Sequence, residues 1–113
     1  MHELPITEHI IKMATEECSK AGAEKVTAIN LVCGDYCGYV PESINMYFEI
    51  IGKDTVCEDA VINITRVEPK MRCPKCDELF KRKPLSFACP KCGTDGETTD
   101  IGKEFYIDTI EVE

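Results

Sequence analysis

Two identical Cys-Pro-Lys-Cys elements constrain this chain more than any other feature of its sequence. They are Cys73-Pro-Lys-Cys76 and Cys89-Pro-Lys-Cys92, and the intervening segment Asp77–Ala88 is long enough for a short hairpin that returns the second pair to the first. This spacing is typical of a tetrahedral zinc site with four thiolate ligands, and proline fixes φ within each turn. Two disulfides or four unrelated thiols would leave the repeated spacing to chance. Because four thiolates fill the coordination sphere, we expect a structural Zn(II) that does not catalyse.

The sign of the charge changes along the chain and marks the Cys-rich segment as a separate module. The net charge is −8 over 113 residues, but residues 66–92 carry eight basic and three acidic side chains between two acidic stretches. Lys81-Arg82-Lys83 is expected at the hairpin tip. We therefore predict a zinc-ribbon domain over residues 69–96, inserted into a domain formed by residues 1–68 and 97–113.

Composition indicates a globular cytoplasmic protein without a membrane partner. No apolar stretch reaches the roughly 18 residues of a membrane span, and the start lacks the apolar region of a signal peptide. Eight cysteines fit a reducing compartment. The chain has two histidines and neither a phosphate-binding loop nor a dinucleotide-binding glycine pattern. We therefore predict that it is not an enzyme.

Periodicity predicts an α+β fold with two helices on a small three-stranded sheet and an inserted four-cysteine zinc-ribbon module. Apolar residues at helical spacing follow Pro5 as far as Gly22, and a second helix runs from Pro41 to Ile51. Alternating β-branched residues indicate three strands: Lys25–Val32, which we place inside the sheet, Ala60–Val67 and Glu104–Val112.

The chain start carries a second group of metal-binding atoms. Met1 and His2 put an amine, an amide and an imidazole on consecutive positions, and Glu3 adds an amide or a carboxylate. Such nitrogen-rich sets suit square-planar Ni(II) or Cu(II). A histidine near a chain start also occurs by chance, so these residues alone leave both interpretations open. His9 is more typical of a structural histidine on the first helix.

Four segments in fixed order resemble the HypA/HybF family of hydrogenase-maturation nickel metallochaperones. They are Met1-His2-Glu3-Leu4, the loop from Gly34 through Tyr39-Val40-Pro41-Glu42-Ser43, the paired Cys-Pro-Lys-Cys elements, and the ending Ile110-Glu111-Val112-Glu113. The resemblance covers essentially the whole chain. It implies nickel cargo bound through His2, with the Met1 amine and Glu3 assisting, and structural zinc on Cys73, Cys76, Cys89 and Cys92.

The resemblance also implies partners. These are the nickel-insertion GTPase of the hydrogenase maturation pathway, the large subunit of [NiFe] hydrogenase and, for some members, urease maturation proteins; a homodimer stays open. Two positions depart from the family pattern: Cys37 replaces an expected serine and Cys33 an expected aliphatic residue. They form a Cys-x-x-x-Cys loop that is either a second soft-metal or redox site or, as we favour, two small residues packed at a strand end.

The chief alternatives are a zinc-ribbon nucleic-acid-binding protein and a structural adaptor. The basic segment would supply the electrostatic footprint that nucleic acid requires. The overall acidity, and the −2 that four thiolates add around zinc, weaken that footprint. We therefore predict no nucleic-acid partner.

Overall fold

Two three-stranded sheets organise the chain. The structure is a computed structural model that describes residues 3–113. Within that range the helices and strands follow in this order: α1 (Glu3–Lys20), β1 (Val26–Gly34), α2 (Pro41–Ile51), β2 (Val61–Val67), β3 (Met71–Arg72), β4 (Leu79–Phe80), β5 (Glu97–Thr98) and β6 (Phe105–Val112).

The larger sheet has the order β2-β1-β6 and confirms the interior position predicted for the first strand. Strand β1 pairs parallel with β2 and antiparallel with β6. Helix α2 connects the two parallel strands, as such a crossover requires. Strand β6 follows the Cys-rich segment in sequence. The third strand of the larger sheet is therefore supplied by residues that come after that segment.

Both helices and the larger sheet share one apolar core, which confirms the predicted α+β class. Ile10 and Ala14 of α1 pack with Ile29 of β1 and with Ile44 and Phe48 of α2. Every one of these side chains is at most 5% exposed. The exposed face of the sheet carries polar side chains that are hydrogen-bonded to one another. The Asn30 amide nitrogen donates to Thr109 Oγ1 at 2.8 Å and to Glu111 Oε2 at 3.0 Å.

Two element ends differ from the sequence prediction. Helix α1 begins at Glu3, two residues before Pro5, because proline lacks only an N–H that the first helical turn leaves unpaired in any case. Strand β1 continues through Cys33 and Gly34, which we expected in a loop. Both residues still pair with β2 and Cys33 also pairs with β6, so the ladder extends to the strand end.

The smaller sheet holds the Cys-rich segment and corrects one prediction. Its order is β4-β3-β5, and its strands are two residues long. The predicted hairpin over Asp77–Ala88 is wrong: β4 pairs with β3, so the hairpin turn is the first Cys-Pro-Lys-Cys element itself. Lys81-Arg82-Lys83 consequently follow β4 and do not form a hairpin tip. Strand β5 lies just past the expected boundary at residue 96, and the domain limits stay a prediction.

Among the described residues, neither helix combines the length and the apolar character that crossing a membrane requires.

Candidate metal centre

Four cysteine sulfurs converge at one end of the smaller sheet. The Sγ atoms of Cys73, Cys76, Cys89 and Cys92 all lie within 4.8 Å of one another, and Cys73 Sγ is 3.5 Å from Cys92 Sγ. Around a tetrahedral zinc with bonds of about 2.3 Å, sulfurs stand roughly 3.8 Å apart. The cluster therefore needs only small shifts of its sulfurs to hold the ion.

The two Cys-Pro-Lys-Cys elements repeat one backbone arrangement. Cys73 N donates to Glu78 O at 2.9 Å and Asp77 N donates to Cys73 O at 2.7 Å; Cys89 N and Gly93 N make the equivalent bonds at 2.8 and 2.9 Å. The fifth position of each turn has positive φ, 57° at Asp77 and 75° at Gly93. The same turn thus presents two sulfurs twice, and the two turns face each other across the cluster.

The donor set fits a structural ion. Cys73 and Cys89 are buried, Cys76 is half-buried and Cys92 is exposed. Thiolates are soft ligands that select zinc, copper(I) or iron–sulfur clusters over hard cations. With four of them, a tetrahedral ion is enclosed and no coordination position is left for a substrate. The arrangement can therefore cross-link the segment but cannot exchange cargo at four coordination.

In the absence of a metal, hydrogen bonds shift the pKa values of two of these thiols in opposite directions. Hydrogen bonding to Thr94, whose Oγ1 is 3.3 Å from Cys92 Sγ, lowers the pKa of Cys92 to about 6. The hydrogen bond to Cys92, aided by desolvation, raises the pKa of Cys76 to about 12. The metal-free cluster therefore holds one thiolate near neutral pH, and that thiolate is the most exposed of the four.

Much of the basic charge predicted for this segment is paired within it or with its neighbours. Arg72 contacts carboxylates of Asp77 at 2.6 Å and Glu97 at 2.9 Å. Lys81 pairs with Glu68 and Lys91 with Glu78 in the same way. Within residues 3–113, four other basic side chains of the segment have no carboxylate within salt-bridge distance: Lys70, Lys75, Arg82 and Lys83. Fewer cations are thus free to meet a phosphate backbone than the count of basic side chains indicates, which further weakens the nucleic-acid alternative.

The first described residue ties the chain start to the second helix. Glu3 is 4% exposed, and its Oε2 accepts a hydrogen bond from Val40 N at 3.3 Å. Val40 caps α2 without a side-chain cap of its own, so the carboxylate lies at the positive end of that helix. Met1 and His2 lie outside the described residues. His9 is exposed on α1, as expected of a surface histidine.

The sequence matches the family described as "Hydrogenase/urease nickel incorporation, metallochaperone, hypA" over residues 1–112. The chain belongs to the HypA family. The family assignment confirms the resemblance inferred from the motifs, and it favours a maturation factor over a nucleic-acid-binding zinc ribbon.

Relatives and solved structures agree with the HypA assignment. The hydrogenase maturation factor HypA of Caldanaerobacter subterraneus subsp. tengcongensis is 40% identical over the full length of both chains. That of Dehalococcoides mccartyi strain CBDB1 is 39% identical over all of this chain and 95% of its own. A solution structure of a HypA protein aligns over 100% of this chain and 97% of its own chain, with a TM-score of 0.72. The solution structure of the Ni metallochaperone HypA from Helicobacter pylori aligns over 99% of this chain and 97% of its own chain, with a TM-score of 0.65. Both structures are 24% identical to this chain and support the fold alone.

Proposed function

We propose that this chain carries Ni(II) as transient cargo at its N-terminus and delivers it for [NiFe] hydrogenase maturation. The ligands are His2 and the Met1 amine, with Glu3 assisting. Cys73, Cys76, Cys89 and Cys92 hold a structural Zn(II) that supports the fold. In this proposal the enclosed four-cysteine site stabilises the fold, and the N-terminal residues bind and release the nickel ion.

The position of Glu3 carries the proposal. Its carboxylate is engaged by Val40 N, and its backbone opens α1 directly after His2. The first N–H groups of a helix have no intrahelical acceptor, so amides next to His2 are free of the helical ladder and can serve a metal once deprotonated. Because its carboxylate is buried and bonded to Val40 N, the backbone amide of Glu3 rather than its carboxylate supplies the further donor.

Delivery requires ligands that can be replaced one at a time. Amine, amide and imidazole groups on consecutive residues meet this requirement better than a four-thiolate cage. Copper(II) binds such nitrogen sets more tightly than nickel(II). Selectivity for nickel therefore also depends on coordination geometry and on which metal the cell supplies.

A nickel titration tests the site. Zinc-loaded wild type is expected to bind one Ni(II) by calorimetry, and His2→Ala or one residue added before Met1 should abolish that binding. His9→Ala is the matched control, because His9 is the other histidine of the sequence and lies exposed on α1. Zinc content should stay the same in all variants. Wild-type nickel affinity in both His2→Ala and the extended chain would refute the N-terminal site.

The partner is expected in the cytoplasm, where the nickel-insertion GTPase of the pathway would dock. Lys83, from the predicted basic run, has no carboxylate partner among residues 3–113, and such charges set association rates more than affinity. Lys83→Glu should slow association with the GTPase at low salt, whereas Lys12→Glu on α1 should not. Equal association rates for the two variants would exclude docking through Lys83.

A further inference from the structure

A second pair of sulfurs lies outside the four-cysteine cluster. Cys33 Sγ at the end of β1 and Cys37 Sγ in the following turn are 2.9 Å apart. Sulfurs that share a tetrahedral zinc stand about 3.8 Å apart, whereas a disulfide bond measures about 2.05 Å. This separation lies about midway between the two values. Among residues 3–113, however, no third His, Cys, Asp or Glu ligand joins the pair, so the two sulfurs are placed for a covalent bond rather than for a metal site.

The backbone holds this pair together from both sides. Cys33 is fixed in the central strand, opposite Arg66 of β2 and Phe105 of β6. Cys37 N donates to Gly34 O at 3.1 Å, and Cys37 Sγ accepts from Tyr39 N at 3.4 Å. Since only three residues separate the cysteines and the turn is already formed, closing the bond orders little additional chain.

The two thiols differ in their access to solvent, and burial makes Cys33 a weak acid. Cys33 is 1% exposed, while Cys37 is half-buried and can be reached from solvent. Desolvation and the hydrogen bond with Cys37 raise the pKa of the Cys33 thiol to about 12. Because the thiolate is the nucleophile in exchange reactions, an external disulfide meets Cys37 first and Cys33 acts second.

We propose that Cys33 and Cys37 form a reversible disulfide by exchange with a low-molecular-weight disulfide such as glutathione disulfide. Cys37 loses its proton to solvent and its thiolate attacks one sulfur of the reagent, whose S–S bond breaks and releases one thiolate. Cys33 then loses its proton and attacks Cys37 Sγ, which releases the second thiolate. Two protein thiols are oxidised and one disulfide is reduced to two thiols.

This inference does not depend on the proposed nickel site. It assigns a role to the Cys-x-x-x-Cys pair, which the proposed nickel and zinc sites do not use. Cys33 lies in β1, and Cys37 lies in the turn that leads to Val40, whose amide bonds to Glu3. The bond would therefore form next to the segment that contacts the first described turn of α1. Disulfides of this kind in reducing compartments are usually transient and redox-sensing.

The test uses the full zinc-loaded chain in glutathione buffers of graded oxidation, quenched by alkylation and mapped by mass spectrometry. Trypsin yields residues 26–53 as one peptide, which holds Cys33 and Cys37 and no other cysteine. The oxidised peptide should carry no alkyl group and weigh two hydrogen atoms less than the unmodified sequence, whereas the reduced peptide carries two alkyl groups; zinc should be retained. The reductant should reverse the change.

Variants identify the order of attack. Cys33→Ser should accumulate a stable glutathione adduct on Cys37, and Cys18→Ala, which removes a buried thiol elsewhere, should oxidise like wild type. The wild-type result decides even where a variant fails to fold. A peptide that stays reduced throughout, a wild-type adduct that never closes, or zinc loss before the peptide oxidises would each overturn the proposal.

Discussion

Replacing Gly93 by alanine should weaken zinc binding through backbone strain alone. Gly93 occupies the fifth position of the second Cys-Pro-Lys-Cys turn with φ at 75°. A Cβ built there meets no atom within 4 Å, so packing is not disturbed. The remaining penalty is that of an L-residue in the left-handed region, about 1–2 kcal/mol.

The penalty should appear in the zinc affinity. Metal binding to such a segment is coupled to its folding, and each 1.4 kcal/mol changes an equilibrium constant about tenfold. We therefore expect Gly93→Ala to raise the zinc dissociation constant about 5- to 30-fold. Competition with a chromophoric chelator at fixed pH measures this change directly.

A matched control separates strain at the metal from strain elsewhere. Gly22, after α1, has a φ of 67° and equally open space around a built Cβ. Gly22→Ala should lower the free energy of unfolding by a similar amount while leaving zinc affinity unchanged. A Gly93→Ala affinity within twofold of wild type, or an equal zinc defect in Gly22→Ala, would refute the reasoning.

Three further predictions follow from other contacts. Glu3→Ala removes the acceptor for Val40 N and should lower the free energy of unfolding, measured in urea, by about 1–3 kcal/mol. Glu3→Gln keeps an acceptor and should lower that free energy by less. Equal decreases for the two variants would contradict the hydrogen-bond explanation. Hydrogen bonding lowers the pKa of Cys92 to about 6, so Cys92 should be the first cysteine alkylated in metal-free protein at pH 7. Thr94→Val should slow that alkylation because it raises the pKa of Cys92. An unchanged rate would exclude Thr94 as the cause of the lowered pKa. Nickel affinity should fall as pH drops from about 7 to 6, since an ordinary imidazole has a pKa of about 6.5 and binds metal only when deprotonated; a constant affinity by calorimetry would rule out ligation by His2.

The larger sheet could be predicted from sequence because its strands are long enough to show an alternating pattern. The smaller sheet could not, because its strands are too short. Helix α2 matched its predicted limits because Pro41 and Gly52 punctuate it. The two-residue strands of the smaller sheet carry no periodicity, so sequence could not show that β4 pairs back onto β3. The Cys-Pro-Lys-Cys spacing nevertheless predicted that four sulfurs would meet, because that requirement is local to each turn.

The second sulfur pair marks the limit of sequence reasoning. From the sequence alone, the spacing of Cys33 and Cys37 favours two small residues packed at a strand end. Their 2.9 Å separation depends on how far β1 extends and on the turn formed by Gly34 and Cys37. Neither property follows from residue type, because β1 keeps its partners only where β2 and β6 also continue.

The insertion of the smaller sheet between β2 and β6 would link the proposed zinc ion to the core by chain entropy. Residues 68–104 form a loop of 37 residues that must close before β6 can pair with β1. When the ion holds the cysteine turns and β3 pairs with β5, the effective loop shrinks to about a third of that length. At about 0.6 kcal/mol per halving, zinc should stabilise the larger sheet by about 1 kcal/mol. A chelator added to the protein would then loosen a core that the metal never contacts.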